Sequence, residues 1–200
     1  MKLSGIKVVA LDLQGVVFTE AHTVRNILAP MFPDLGYGFI RSKYDRYIVG
    51  EISDMEFWSG LAKNPAATEK KFLDAIMLDP EFNDTAAYLK KKYRLAVLSD
   101  TTKEWKEYLF GKHKLSSWFD TVVISSDTGY SKPNEKIFEI FLQKVGVDPT
   151  QCVFVDDRLE NLEAAAGLEM KTVQYEREPP RIWFKPDFTI KRLGELKGIL

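Results

Sequence analysis

Acidic residues stand at the ends of two apolar runs in this sequence. Asp12 follows residues 8–11, and Asp156 and Asp157 follow residues 153–155. An ionised carboxylate at the end of a buried strand is costly unless a partner compensates for its lost hydration. Because the ligand crevice of an open parallel sheet lies at the carboxyl ends of its strands, these groups would converge on one edge. Oxygen ligands without a His or Cys cluster favour magnesium over zinc or copper, so we predict a Mg²⁺ site there.

Two further segments place polar groups at the same edge. Ser99 stands at the end of another apolar run, before a predicted helix whose free N–H groups can hold an anion. Lys132 precedes Pro133, which biases it towards an extended conformation and directs its amine to the edge. A nucleophilic carboxylate, a cation-binding pair, a hydroxyl and an amine together indicate a phosphoryl-transfer site. The alternative is that the aspartates only begin turns or cap the following helices, since Asp is common after strands.

The strands that must position these groups are predicted from apolar patterns. Short runs of aliphatic and β-branched residues are nearly continuous, which is typical of strands buried on both faces of a parallel sheet. Helical spacing lies between them, so strand and helix alternate. We therefore predict an α/β fold with a three-layer, Rossmann-like parallel-sheet core. The predicted strands are residues 6–13, 95–98, 122–124, 153–155, 172–175 and 188–190, with a helix between Pro133 and Gly146 and another at residues 193–200.

Residues 19–80 interrupt this alternation, because they carry helical spacing with no convincing strand. We predict that they form a small α-helical cap inserted into a core made of residues 1–18 and 81–200. Phe57 and Trp58 are expected to pack inside this helical unit, and a direct contact with substrate is the alternative.

Composition narrows the possible partners. The 200 residues include 28 Lys and Arg against 29 Asp and Glu, a net charge of −1, which argues against a nucleic-acid binder with a strongly basic surface. No stretch approaches the roughly 18 apolar residues that span a bilayer, and the single cysteine, Cys152, favours a reducing compartment. We expect a cytoplasmic protein, a monomer or a homodimer, with neither nucleic acid nor membrane as partner. Residues 177–183 are predicted to form an irregular loop near the site, in contact with substrate or a partner subunit.

In chain order, these segments resemble the four motifs of the haloacid dehalogenase-like superfamily of phosphohydrolases. The resemblance covers nearly the whole chain, and the long interval between Asp12 and Ser99 leaves room for a helical cap of the kind found in that superfamily. It implies a phosphatase that acts on a small phosphorylated metabolite. The matching segments are residues 12–17 (DLQGVV), Ser99 after residues 96–98 (AVL), residues 129–134 (GYSKPN), and residues 155–157 (VDD) with Asn161.

The resemblance implies a role for each of four polar side chains. Asp12 would attack phosphorus in line and form an aspartyl-phosphate. Ser99 would bind a phosphoryl oxygen, and Lys132 would neutralise charge on the transferring group and on Asp12. Asp100 would help to bind the substrate.

The resemblance also implies a set of Mg²⁺ ligands, namely Asp12, the backbone carbonyl of Gln14 and Asp156, with Asp157 holding either the metal itself or one of its water ligands. Asn161 would brace the turn that carries the last two. Because dehalogenases of this superfamily work without a metal, the acidic pair disfavours dehalogenation.

Gln14 departs from the pattern of this superfamily. Most of its phosphatases carry at this position a second Asp, which protonates the leaving group and then activates water, whereas an amide cannot titrate near neutral pH. General acid–base catalysis is typically worth roughly 10² to 10⁴ in rate, so we expect slow turnover. Three explanations stay open: a leaving group that needs little acid help (an acyl, aryl or anomeric phosphate), a substitute proton donor (Asp100, Glu20 or His22), or a weakly active or inactive protein that binds a phosphorylated ligand or a protein partner.

Overall fold

Six strands form one sheet in the computed structural model, which describes residues 2–177 and 183–200. They are β1 (Val8–Leu11), β2 (Arg94–Ser99), β3 (Thr121–Ile124), β4 (Cys152–Asp156), β5 (Lys171–Tyr175) and β6 (Phe188–Ile190). Their order is β3-β2-β1-β4-β5-β6, and every neighbouring pair is parallel. The predicted parallel-sheet α/β fold is confirmed. The loop predicted at residues 177–183 falls mostly on residues 178–182, which lie outside the described residues.

The register of the central strand aligns the ends of three strands. Leu11, the last residue of β1, pairs with Val97 of β2 and with Val155 of β4. The chain after β1 keeps this alignment, because the backbone N–H of Asp12 donates to the carbonyl of Val155 at 3.0 Å. The segments that follow β1, β2 and β4 therefore leave the sheet at one edge.

Helices connect the strands and also fill most of residues 19–80. Within the described residues, no helix is long and apolar enough to cross a bilayer. The helices are α1 (Ala29–Met31), α2 (Tyr37–Ile48), α3 (Asp54–Ser59), α4 (Pro65–Ala75), α5 (Phe82–Leu89), α6 (Lys103–His113), α7 (Ser125–Thr128), α8 (Glu135–Val145), α9 (Leu159–Gly167) and α10 (Leu196–Ile199), with a π-helical segment at Thr23–Leu28 and 3₁₀ turns at Pro149–Gln151 and Leu193–Glu195.

Local signals set several of the element boundaries. The side chain of Asn134 accepts the backbone N–H of Lys136 at 3.0 Å and begins α8, which ends as predicted at Gly146, where φ is 63°. β1 stops at Leu11, before the predicted end at residue 13, because the next residues form a turn in which the backbone N–H of Phe18 donates to the carbonyl of Leu13 at 2.7 Å. The helix predicted at residues 193–200 is instead a 3₁₀ turn followed by α10.

Alternate residues of β1 face two separate hydrophobic clusters. Val8 and Ala10 belong to a cluster that includes residues of α8 and α9. Val9 and Leu11 belong to a cluster that includes residues of α5 and α6 and the helices of residues 19–80. Both faces of the sheet are therefore covered by helices, which confirms the three predicted layers.

Trp105 of α6 packs against aromatic residues of the helical segment 19–80. Its ring centroid lies 4.5 Å from that of Phe72 and 6.1 Å from those of Phe57 and Trp58. Phe57 and Trp58 are fully buried, as the packing prediction required, although part of their packing is against a side chain outside the segment. The helical segment and one face of the sheet thus share a single hydrophobic cluster.

Candidate active site

The turn after β1 brings a carboxylate and a glycine to the edge of the sheet. Asp12 is 6% exposed, and its Oδ1 accepts the backbone N–H of Leu13 at 2.7 Å. Gly15 has a φ of +79°, a left-handed conformation that glycine adopts without strain. A Cβ atom at Gly15 would lie 2.7 Å from Cγ of Asp157. Glycine at this position therefore lets the loops after β1 and β4 meet.

Ser99, the last residue of β2, is fully buried beside this turn. Its hydroxyl donates to Oε1 of Gln14 at 3.3 Å and accepts the backbone N–H of Leu13 at 3.4 Å. A hydroxyl can rotate about its C–O bond and change acceptors. Ser99 can therefore exchange its bond to Gln14 for one to a phosphoryl oxygen placed next to Asp12.

Lys132, which is 5% exposed, places a cation among carboxylates. Its Nζ lies 3.0 Å from Oδ1 of Asp12 and 2.7 Å from Oδ2 of Asp156, and it donates to the carbonyl of Leu98 at 3.2 Å. Its backbone N–H donates to Oδ1 of Asp100 at 2.9 Å. Burial opposes the charge of Lys132, but the surrounding carboxylates outweigh burial and raise its pKa. The amine is therefore charged where negative charge would develop during phosphoryl transfer.

Asp156 ends β4 and is held from two directions. Nδ2 of Asn161 donates to both of its carboxylate oxygens at 3.1 Å, and the backbone N–H of Arg158 donates to Oδ1 at 2.8 Å. Asn161 thus braces this turn, as predicted. Asp12, Asp156 and Asp157 each offer one carboxylate oxygen, and these oxygens lie within 4.8 Å of one another.

Negative charge exceeds positive charge in this cluster. Burial and the charge of Asp156 raise the pKa of Asp12 to about 7, although Lys132 opposes them. Burial and the charges of Asp156 and Asp12 raise the pKa of Asp157 to about 8. Three crowded oxygen donors fit a divalent cation that prefers oxygen, such as Mg²⁺, because the ion would relieve their repulsion. Asp12, Asp156, Asp157 and the backbone carbonyl of Gln14 would hold it.

A cleft of about 450 Å³ lies between the sheet edge and the helical segment 19–80. Its volume lies within the range of about 300 to 1,000 Å³ that small-molecule sites occupy. Its residues come from both sides: Asp12, Gln14, Asp100, Lys132 and Asp157 line it from the sheet edge, and His22, Arg41 and Tyr44 line it from residues 19–80.

Comparison with known families matches residues 6–168 to the model of the haloacid dehalogenase-like hydrolases. The chain belongs to this family. The resemblance stated from the four motifs is therefore confirmed, and so is the expected membership of a hydrolase family.

Curated relatives of this haloacid dehalogenase-like hydrolase include phosphatases. The phosphoglycolate phosphatase of Aquifex aeolicus is 24% identical over an alignment of 216 positions, which covers 98% of this chain and 97% of that protein. The glyceraldehyde 3-phosphate phosphatase of Methanothermobacter thermautotrophicus is 35% identical over 99 residues, or 47% of this chain. The chain spans less than half the length of several curated relatives, 42% in the latter case. The solved HAD phosphatase of Thermococcus onnurineus shares the fold, with a TM-score of 0.73 and 21% identity over 97% of both chains.

The structure of this hydrolase brings every predicted site residue to the carboxyl edge of the sheet. The contacts of Lys132, Ser99 and Gly15 join the four segments that carry these residues, which follow β1, β2 and β4 and precede α8. Their catalytic and metal-binding roles stay predictions. The set comprises Asp12, Gln14, Ser99, Asp100, Lys132, Asp156 and Asp157.

The three candidate substitutes for a proton donor at position 14 lie in different surroundings. Asp100 and His22 both line the cleft of the hydrolase. Burial raises the pKa of Asp100, and the charge of Lys132 acts against this shift. Glu20 instead accepts a hydrogen bond from Nδ2 of Asn26 at 2.7 Å. The geometry therefore favours Asp100 and His22 over Glu20.

Arg177 is the first residue of the loop predicted near the site, but its contact with the turn after Asp12 was not predicted. Its Nε donates to the carbonyl of Gly15 at 2.8 Å, and its Nη2 lies 3.2 Å from Oδ2 of Asp79, which is 3% exposed. Its guanidinium carbon lies 3.8 Å from the ring centroid of Tyr175, whose hydroxyl donates to Oδ2 of Asp79 at 2.9 Å. Arg177 therefore holds the turn that follows Asp12. No local pattern marks such a contact, because its partners are 162 positions apart in sequence.

Proposed function

We propose that this hydrolase is a Mg²⁺-dependent phosphatase that acts on a small phosphorylated metabolite through an aspartyl-phosphate intermediate. The observation that carries the proposal is the position of Lys132, whose Nζ bridges Asp12 and Asp156 within a cluster of three carboxylates that could hold a metal ion. Mg²⁺, when bound, would withdraw charge from the phosphoryl oxygens and from these carboxylates.

The proposed reaction has two steps at Asp12. In the first, a carboxylate oxygen of Asp12 forms a bond to phosphorus, the ester P–O bond breaks, and the leaving oxygen takes a proton. In the second, water loses a proton to a base and its oxygen bonds to phosphorus, the bond between phosphorus and Asp12 breaks, and inorganic phosphate leaves. Lys132 and Ser99 would stabilise the phosphoryl oxygens in both steps.

Gln14 can orient a leaving group or a water in these steps, but it cannot transfer a proton to or from either one. Asp100 or His22, which both line the cleft, would supply the proton, or the substrate would carry a leaving group that needs none. Turnover should therefore be slow, above all in the second step, which needs a base to activate water.

The proposal extends to organisation and location. Residues 19–80 would act as a cap that selects substrate over a core of residues 1–18 and 81–200, because the cleft lies between the two. The protein would act in the cytoplasm as a monomer or a homodimer, without nucleic acid or membrane as partner, as the near-zero charge and the single cysteine suggest.

A second candidate function follows from Gln14 itself. A chain that lacks the usual proton donor can retain binding of a phosphorylated ligand while losing most turnover. In that case the protein would be a weakly active or inactive member of its family that binds a phosphorylated ligand or a protein partner.

Phosphate release from a panel of phosphate esters, measured with Mg²⁺ and with a chelator, separates the two candidates. The phosphatase proposal expects activity that needs Mg²⁺ and disappears in Asp12→Asn. Activity that is equal in wild type and Asp12→Asn would overturn it. Binding of phosphate esters without turnover across the panel would favour the second candidate.

A further inference from the structure

Two arginines line the cleft from opposite sides. Arg41 lies on α2 in the helical segment, and Arg158 immediately precedes α9 at the sheet edge. The backbone N–H of Arg158 is bonded to Asp156, so its side chain starts at the candidate metal cluster. The side chains of Arg41 and Arg158 are 43% and 37% exposed, which leaves both accessible to a ligand in the cleft.

Each arginine is oriented by one acidic neighbour. Nε of Arg41 lies 2.8 Å from Oδ1 and 3.0 Å from Oδ2 of Asp45, and Nε of Arg158 lies 2.9 Å from Oε1 of Glu160. A guanidinium has five N–H donors, of which a single carboxylate engages about two. Both arginines therefore keep donors for a further anion while their orientation is already set.

The two guanidinium groups also repel each other. Burial and the charge of Arg158 act against the protonated form of Arg41, and the hydrogen bond and charge of Asp45 outweigh them, so that the pKa of Arg41 is raised. An anion held between the two arginines would remove this repulsion, and it would gain charge-assisted hydrogen bonds from both sides of the cleft.

At the sheet edge, Lys132 and Ser99 would bind the oxygens of the transferred phosphoryl group. We infer that Arg41 and Arg158 bind a second anionic group, a carboxylate or a second phosphate, on the leaving-group part of the substrate. This inference rests on the proposed phosphatase function. The cleft of about 450 Å³ limits such a substrate to a small molecule with its two anionic groups a few bonds apart.

Three phosphate esters of equal chain length test the inference: propyl phosphate, 3-(phosphonooxy)propionate and propane-1,3-diol bisphosphate. The wild type should hydrolyse at least one of the two doubly anionic probes with a kcat/KM about tenfold or more above that of propyl phosphate, as a charge-assisted contact provides. The preferred probe identifies the second group as carboxylate or phosphate. Arg41→Gln and Arg158→Gln should each reduce this preference at least threefold, and the double variant should abolish it.

Arg46→Gln is the matched control, because Arg46 lies on the same helix, is 57% exposed and pairs with Glu51 at 3.4 Å without lining the cleft. It should keep the wild-type preference. Calorimetric binding of the three probes to Asp12→Asn repeats the comparison without turnover, so failure of the phosphatase proposal is seen separately from failure of the inference. Equal binding and equal kcat/KM for all three probes, or a preference unchanged in Arg41→Gln and Arg158→Gln, would overturn the inference.

Discussion

The hydroxyl of Ser99 donates a hydrogen bond to Oε1 of Gln14 across 3.3 Å, and both side chains are buried. Through this bond the amide oxygen of Gln14 faces β2. Gln14, which departs from the family pattern, is thus in contact with Ser99, a candidate phosphate-binding residue. A carboxylate can accept a hydrogen bond from a hydroxyl as an amide oxygen does. Because Asp is one methylene shorter than Gln, its carboxylate would lie farther from Ser99 than the amide of Gln14 does.

Gln14→Asp should raise turnover of alkyl phosphates, because a carboxyl group can protonate the leaving oxygen and then activate water. The gain should be at least about tenfold, with an upper bound at the roughly 10² to 10⁴ that general acid–base catalysis supplies in full. Rapid-quench experiments on the wild type with an aryl phosphate should show a burst of about one equivalent, since the second step is slowed more than the first. Gln14→Asn, which adds no titratable group, is the control for the turnover of Gln14→Asp. Unchanged or lower turnover in Gln14→Asp would mean that another group already transfers the proton.

Gly15→Ala should destabilise the protein through two separable effects. The φ of +79° costs an alanine about 1 to 2 kcal/mol, and its Cβ would also lie 2.7 Å from Cγ of Asp157. Gly5→Ala is a matched control, since Gly5 has a φ of +76° and no atom within 4 Å of the added Cβ. Urea unfolding of both variants should show the larger loss at Gly15. Equal losses would indicate that the loop of Asp157 moves aside freely.

Arg177→Met should weaken Mg²⁺ binding several-fold, because it removes the hydrogen bond to the carbonyl of Gly15 that holds the turn after Asp12. Arg177→Lys should restore part of the affinity if its amine reaches the same carbonyl. Calorimetric titration with Mg²⁺ measures the effect without relying on activity. Lys191→Ala removes a different ion pair after β6, with Glu176 at 3.3 Å, and should leave Mg²⁺ affinity unchanged. Wild-type affinity in Arg177→Met would show that this contact does not position the turn.

Glu69 should make stability depend on pH. Burial and the nearby carboxylate of Asp54 raise the pKa of Glu69 to about 7, and the charge of Glu104 adds to the shift. The folded protein therefore holds a proton that the unfolded chain releases, so the free energy of unfolding should fall as pH rises from about 5 to about 8. Glu69→Gln should reduce this fall, measured by urea unfolding across the range. Glu163→Gln, on the exposed face of α9, should retain it, and an identical slope in Glu69→Gln would contradict the assignment.

Strands and their acidic ends were predictable because each depends on short stretches of sequence. Residues 153–155 form a continuous apolar run ended by Asp156, and β4 was found there as Cys152–Asp156. The same holds for α8, whose end at Gly146 follows from the glycine itself. Packing of the segment 19–80 was predicted less well. Trp105, which packs against Phe72 of this segment, lies outside it, and the spacing of residues within the segment does not indicate a partner outside it.

The sequence by itself determined the chemical inventory of the site and the edge at which it meets, because parallel strands bring their carboxyl ends together wherever buried apolar runs alternate with helices. Asp12, Ser99 and Asp156 follow from that rule. Only the tertiary structure decided which charges face one another, as in the pairing of Nζ of Lys132 with two carboxylates and the contact of Arg177 with Gly15. Such contacts join residues that are distant in sequence, so they depend on the order of strands in the sheet and on side-chain direction, neither of which a local pattern encodes.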